Sequence, residues 1–422
     1  MLNRRSFNTL LGLSAASYLT ARRAEAAAPR KRIAFIGTVV RQHSHAQHFL
    51  DRLAEGYSWQ GAWQEPRLDI ASTYIAQFPD EEDLGRERLK RYGLKNYDSL
   101  SQALTLGGKE LAVDGVVIIG EHGKYEKNEM GQTLYPRYEW FKEIVKVFEA
   151  SGRSVPVFND KHLSTDWKEC REMVADSQRL KFPFHAGSSL PVTRRMPQID
   201  MPFNADLRES VCVAYGGVDS YDFHALETAQ CMSERRRGGE TGIKSVLALR
   251  DEKVWSYLGE SAQARTRKLV VAALCRSHNL PVEGGYPTDK VTFEWAQKAL
   301  PKIIGYFITH RDGFKTAVFM TGIRDFNYAG AIGEDEQIVS CQFYLPMPGH
   351  GSTTADFFNP LVWHLESMIL ENKQPYPLER TLLTSGMVIA GVESLHRGGV
   401  PVETSDMAVK YSVSDESYFW RD

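Results

Sequence analysis

The chain has 422 residues, too many for one ordinary hydrophobic core, so two domains are expected. Its 51 basic and 53 acidic side chains leave a formal charge of −2, so no basic excess argues for nucleic-acid binding. A hydrophobic content of 42% with 25% charged residues excludes a disordered chain, and five cysteines without C-x-x-C spacing exclude a disulfide frame or zinc site.

In chain order the first feature is a targeting segment over residues 1–28. Asn3-Arg4-Arg5-Ser6-Phe7 is a twin-arginine pattern, Leu10 to Leu19 is mildly apolar, and Ala24-Glu25-Ala26 offers a small-x-small cleavage site. The pattern predicts export by the twin-arginine route to the periplasm or another extracytoplasmic space. The apolar stretch is too short to span a bilayer, so no stable membrane insertion is expected. The five cysteines (Cys170, Cys212, Cys231, Cys275 and Cys341) read as buried thiols.

Arg32 to Gly37, an apolar run closed by glycine, and the helical spacing of Ala46 to Glu55 predict a strand–turn–helix opening. A second strand is expected over Leu68 to Ala76, helices over Leu84 to Tyr92 and Ser99 to Leu104, and a buried parallel strand over Asp114 to Gly120. A helix over Tyr138 to Ser151, stopped by Gly152, precedes a strand over Val155 to Phe158, a helix over Asp166 to Arg179 and a strand over Phe182 to Ala186. This alternation predicts a doubly wound parallel sheet in residues 29–188. Beyond a proline-bearing linker near Gly187 to Pro202 the rhythm changes. Strands are expected at Val211–Tyr215, Lys244–Leu249, Ile303–Thr309, Thr316–Met320 and Ile338–Leu345, and helices at Asp219–Arg236, Trp255–Asn279, Pro360–Leu370 and Leu378–Arg397.

The stretch Val155 to Ser164 ends an apolar run in Asn159, Asp160, Lys161 and His162, at the strand end where ligands sit in open α/β sheets. An acid, an amine and an imidazole side by side form a candidate acid–base cluster. The bland alternative for Lys161 is a surface ion pair with Asp160. The loops after the first, fourth and fifth strands carry His43 and His45, Glu121 and His122, and Asp160 and His162, and His185 lies on the sixth. On neighbouring strands these groups suit either acid–base work on a sugar or a divalent metal.

Together the two halves resemble the glucose–fructose oxidoreductase, inositol dehydrogenase and rhizopine-catabolism family (Gfo/Idh/MocA). That family opens with G-x-G-x-x-G-x-x-H; Gly37-Thr38-Val39-Val40-Arg41-Gln42-His43-Ser44-His45 keeps the first glycine and the histidine and replaces the other glycines with Val39 and Gln42. The family's E-K-P becomes Asp160-Lys161-His162, and its D-x-G-x-H becomes Ser220-Tyr221-Asp222-Phe223-His224, with Asp219 just before. The resemblance implies an N-terminal Rossmann domain and, over residues 189–422, a C-terminal α/β domain on a large, mostly antiparallel, open-faced sheet through which copies of the chain pair as a homo-oligomer.

It further implies an oxidoreductase acting on a sugar or polyol with tightly held NAD or NADP. Lys161 and His224 are its central catalytic pair, with Asp160 and His122 beside them. Gly37, Thr38, Arg41, His45, Gly120 and Glu121 are the cofactor-binding candidates. Tyr125, His162, Arg194, Asp219 and Asp222 are the substrate-binding candidates. Apart from the resemblance, Pro348-Gly349-His350-Gly351-Ser352 reads first as a bare flexible loop before a helix and second as one whose histidine reaches a substrate. Val39 and Gln42 put side chains where a dinucleotide needs bare backbone. Two alternatives therefore stand beside the first reading. One is a nucleotide-free lyase, isomerase or hydrolase using a histidine–carboxylate site, with or without a divalent metal; the other is a non-catalytic carbohydrate-binding protein.

Overall fold

The structure, a computed structural model, describes residues 29–281, 291–346 and 354–421. The twin-arginine segment and the loop around His350 lie outside the described residues. No helix among the described residues is long and apolar enough to cross a membrane.

The chain opens with β1 (Arg32–Gly37) and α1 (His45–Glu55), then a hairpin of β2 (Tyr57–Trp59) and β3 (Ala62–Gln64), and β4 (Asp69–Ile75). Helices α2 (Gly85–Tyr92) and α3 (Leu100–Thr105) lead to β5 (Gly115–Ile119), α4 (Arg137–Ser151), β6 (Val157–Asp160), α5 (Trp167–Leu180) and β7 (Phe184–Gly187). The second part runs β8 (Arg195–Met196), β9 (Leu207–Tyr215), α6 (Tyr221–Ser233), β10 (Ile243–Arg250), α7 (Glu252–Gly259), α8 (Ala264–Leu274) and α9 (Phe293–Ala299). It closes with β11 (Ile304–His310), β12 (Lys315–Thr321), β13 (Phe326–Ile332), β14 (Gln337–Phe343), α10 (Asn359–Glu371), α11 (Glu379–His396) and β15 (Val402–Glu403).

The first sheet is parallel throughout, in the order β4-β1-β5-β6-β7. Every residue of β5 is buried, as its unbroken Gly-Val-Val-Ile-Ile run demands of a strand covered on both faces. Strand order reverses at β1, so the crevice beyond the ends of β1 and β5 is a topological switch point. Local signals place the helix ends. Ser44 and Asp166 cap α1 and α5 by accepting from Gln47 N and Glu169 N, and Gly152 stops α4 at φ 59° in the left-handed region.

The second sheet has eight strands in the order β15-β10-β11-β12-β9-β13-β14-β8, antiparallel except where β12 runs alongside β9. Both the doubly wound first half and the mostly antiparallel second half agree with expectation. One face carries α6 and α11, whose apolar sides join the core of the first sheet. The expected open face is closed. Val211 and Val213 of β9, Phe319 of β12 and Ala329 of β13 lie buried beneath α7, α8 and α9 in a second core with Val254, Leu258, Leu269 and Ala273. Strand alternation explains the two cores: Cys212 and Ala214 point to the first, Val211 and Val213 to the second. Cys275 is exposed at the end of α8, whereas the other four cysteines are buried as expected.

Candidate active site

The strand ends of β1, β5 and β6 and the start of α6 surround a cavity of about 320 Å³, at the small end of the ligand-pocket range. Its polar wall is Arg41, His43, His45, Glu121, His122, Lys161, Ser189 and His224, and its apolar wall is Leu345, Phe357 and Phe358.

Thr38, the first residue after β1, ties this edge together. Its hydroxyl accepts from Glu121 N at 3.0 Å and donates to Glu121 O. Glu121 forms an ion pair with Lys161, and its second oxygen lies 3.5 Å from His45 Nδ1. Burial alone would raise the Glu121 carboxyl; His45, Lys161 and His122 outweigh it and hold the group well below the usual carboxylate range. Lys161 therefore differs from its bland reading: its side chain is 9% exposed and its partner is Glu121, not Asp160. Its backbone sits at φ 64° and its N–H donates to Gly187 O at 2.9 Å, so a left-handed turn aims the ammonium back across the strand ends. Asp160, 1% exposed in its side chain, accepts from His45 Nδ1 at 2.8 Å.

His122 lies beside this group, with Arg41 3.2 Å from its Nδ1. Burial, with the Arg41 and Lys161 charges, outweighs Glu121 and draws its imidazole down to about 4. His224 projects from α6 with its Nδ1 unpartnered, and burial, then the Lys161 charge, keeps its ring well below the ordinary histidine range. Both rings are neutral near pH 7.

Other candidates face away from the cavity. His162 is buried against Arg137 Nη1 at 2.9 Å, and burial followed by that charge keeps it neutral. Asp222 is a helix-start anchor, accepting from the amides of Asp219, Ser220 and Phe223 and from Tyr306 at 2.8 Å. Asp219 accepts from Gln132 and Thr133 N, at 3.2 and 3.1 Å, and burial, with Asp222 adjacent, pushes its carboxyl up to about 6. Tyr125 packs edge-on against Tyr135, 5.6 Å between ring centres. Arg194 pairs with Asp356 at 2.7 Å and stacks over Trp420. Gly120 has a packing reason for its identity: a methyl there would meet Arg137 Cγ at 2.7 Å. Gly37 closes β1 with a methyl's worth of space already tight against Phe35.

Sequence reasoning missed Arg137, the Phe357–Phe358 wall and Glu227. Glu227 is fully buried on α6 beneath Gly187, where it accepts from Ser188 N at 2.9 Å.

No protein-family model matches the chain, and no curated protein is similar to it in sequence. Solved structures are similar to it. GenD2 from gentamicin A biosynthesis, in complex with NAD, is 12% identical over 91% of this chain and 99% of its own, with a TM-score of 0.55. The myo-inositol dehydrogenase from Lactobacillus casei, in complex with NAD(H) and myo-inositol, is 9% identical over 89% and 97%, with a TM-score of 0.52. A probable dehydrogenase from Thermotoga maritima is 10% identical over 89% and 99%, also at 0.52. The chain shares the two-part fold of these structures.

Within that fold the first turn does not fit a dinucleotide diphosphate. Val39 and Val40 are buried where the phosphates need open backbone. Thr38 N donates to Ile119 O, Arg41 N and Gln47 N to Ser44 Oγ, His43 N to the Gln47 side chain and Ser44 N to Arg41 O. Thus five amides of the turn and helix start are already satisfied within the chain. Gln77, just beyond β4 where a ribose-binding acid belongs, spends its amide on the backbone of Lys124. The adjoining groove, about 810 Å³, is lined by the acids Asp80, Glu81 and Glu82 and by the cations Arg41 and Lys124, and Arg41 is already paired with Glu82 at 3.2 Å. His45, Glu121 and Asp160 bring possible metal-ligand atoms within 4.8 Å of one another, but the Lys161 ammonium already sits on the Glu121 carboxylate.

Proposed function

We propose that the protein is an exported enzyme of the oxidoreductase class that acts on a sugar or polyol. Its cleft handles the proton of a substrate hydroxyl. The observation carrying this reading is the convergence of Lys161, Glu121, His45 and His224 on one cavity at the switch point of a dehydrogenase fold. A cation, neutral imidazoles and hydrogen-bonding walls suit a neutral polyhydroxylated ligand, and the fixed Lys161 charge favours an alkoxide developing beside it.

The likeness to dehydrogenases solved with NAD or NAD(H) supports NAD or NADP as the tightly held redox partner. The self-bonded first turn favours a second reading, in which the same cluster performs proton-transfer chemistry on the sugar without nucleotide, as a lyase or isomerase does.

One experiment separates the two. Protein purified in its native, folded form is denatured, and the released small molecules are identified by mass spectrometry. Stoichiometric NAD or NADP establishes the first reading. No nucleotide, together with no rise in melting temperature on adding NAD or NADP, leaves the second.

A further inference from the structure

We propose that His45 is the proton acceptor of the cleft and that Asp160 is its positioning residue, an assignment that rests on the reading of the cleft as a carbohydrate active site. Four imidazoles line the cavity: His43, His45, His122 and His224. A general base works best when one ring nitrogen is held by a carboxylate, which fixes the tautomer, orients the ring and stabilises the imidazolium that forms.

His45 meets that condition. Its Nδ1 lies 2.8 Å from Asp160 Oδ2, and the edge of Phe358 closes on the ring at 4.7 Å between centres. The carboxylate is buried and the imidazole is 17% exposed, so the rigid member lies behind and the reactive member faces the cavity. With Nδ1 engaged, Nε2 is the ring nitrogen with no hydrogen-bond or ion-pair partner among the described residues.

The other rings lack this support. The family pattern sets an acid before the helix histidine, but here Asp219 is spent on Gln132 and Thr133 and Asp222 on backbone amides, leaving His224 Nδ1 without a partner. His122 lies 3.6 Å from Glu121, beyond hydrogen-bond reach, and faces Arg41 at its other nitrogen. His43 shows no carboxylate contact among the described residues.

In the step assigned to His45, the O–H bond of a substrate hydroxyl breaks and its electron pair stays on oxygen. The proton forms a new bond to Nε2, and the resulting imidazolium lies against Asp160. This is a proton transfer alone and consumes no oxidant.

The test reads the ring directly. Full-chain protein labelled with ¹⁵N-histidine is studied by long-range ¹H–¹⁵N NMR, with His45→Gln identifying the signal. The expected result is the Nδ1–H tautomer with a bare Nε2 in the native protein. In Asp160→Asn, whose amide can offer an N–H to Nδ1, the ring should turn to the opposite tautomer. A native ring protonated at Nε2, an unchanged tautomer in Asp160→Asn, or Nδ1 bound to a stoichiometric metal ion each overturns the assignment.

Turnover of a panel of sugars and polyols is the independent arm. His45→Gln should lose at least about a hundredfold in kcat while keeping the native melting temperature. Full activity in that variant overturns the role of His45 and leaves the carbohydrate reading standing. No turnover of any panel member by a protein with the expected tautomer overturns the carbohydrate reading instead.

Discussion

Glu227 stands on α6 with 0% exposure, and among the described residues Ser188 alone donates to it, from N at 2.9 Å and Oγ at 2.5 Å. Burial pushes its carboxyl up to about 7, against the pull of Ser188 and Arg380. A carboxyl raised in the folded state keeps a proton that the unfolded chain gives up near pH 4, so the bound proton stabilises the native form. That contribution is complete below about pH 4 and is lost as pH rises through about 7. Urea unfolding across this range should show native stability falling by up to about 3 kcal/mol from this group. Glu227→Gln should remove that part of the slope, and identical slopes in both proteins would reject the assignment. Glu227 sits beside Gly187, where a methyl would have no room, and the Gly187 carbonyl accepts from the Lys161 N–H. Lys161, Glu121, His45 and His224 were legible in the sequence because strand ends and a helix start fix where such residues emerge. The Phe357–Phe358 wall of the cavity, and Arg137 and Glu227 behind it, were not, because each comes from an element whose sequence records an apolar or polar side but not its neighbour. His162 and Asp222 were legible as polar types and misread in direction, since spacing does not say whether a loop side chain turns in or out.

Helices α7 to α9 form a layer of this chain's own over a sheet face expected to be open. Leu269, at the centre of that layer, has 0% exposure. Leu269→Ala should therefore cost about 2–5 kcal/mol of unfolding free energy, the range for a core leucine, with no change of mass in solution. A small stability change accompanied by dissociation of an oligomer would instead make this an interface surface. Helices α7 and α8 were legible from Trp255 to Asn279 and the short α9 (Phe293–Ala299) was not, and amphipathic spacing says only that a helix buries one side, not which surface receives it. Strand β13 went unread for a different reason. Phe-Asn-Tyr-Ala-Gly-Ala-Ile holds weak strand formers at its centre, and pairing with β9 on one side and β14 on the other supplies what local preference does not.

The two sheets share α6 and α11 between them, and later parts of the chain cross back to earlier ones. Tyr57 and Arg67 N donate to Glu366 of α10 at 2.6 and 3.1 Å, Lys31 Nζ donates to Ile369 O at 2.8 Å, and Trp420 N donates to Val192 O at 2.7 Å. With no layer belonging to one sheet alone along this seam, the molecule should unfold in a single cooperative transition. Calorimetric and van't Hoff enthalpies should agree, and circular dichroism and tryptophan fluorescence should trace one curve. Two separated transitions would show that the halves are thermodynamically independent.

The packing of α10 also sets a timetable for synthesis. Ile369 lies against Gly115 at the start of β5, so the outer side of the first sheet is finished by residues made some 250 positions later. A nascent chain ending near residue 188 has all five strands of its parallel sheet and still lacks a wall. Until the last sixth of the polypeptide emerges, that side of the sheet is expected to stay bare and open to chaperone binding. This order suits the proposed export by a twin-arginine route, which carries cargo that is already folded.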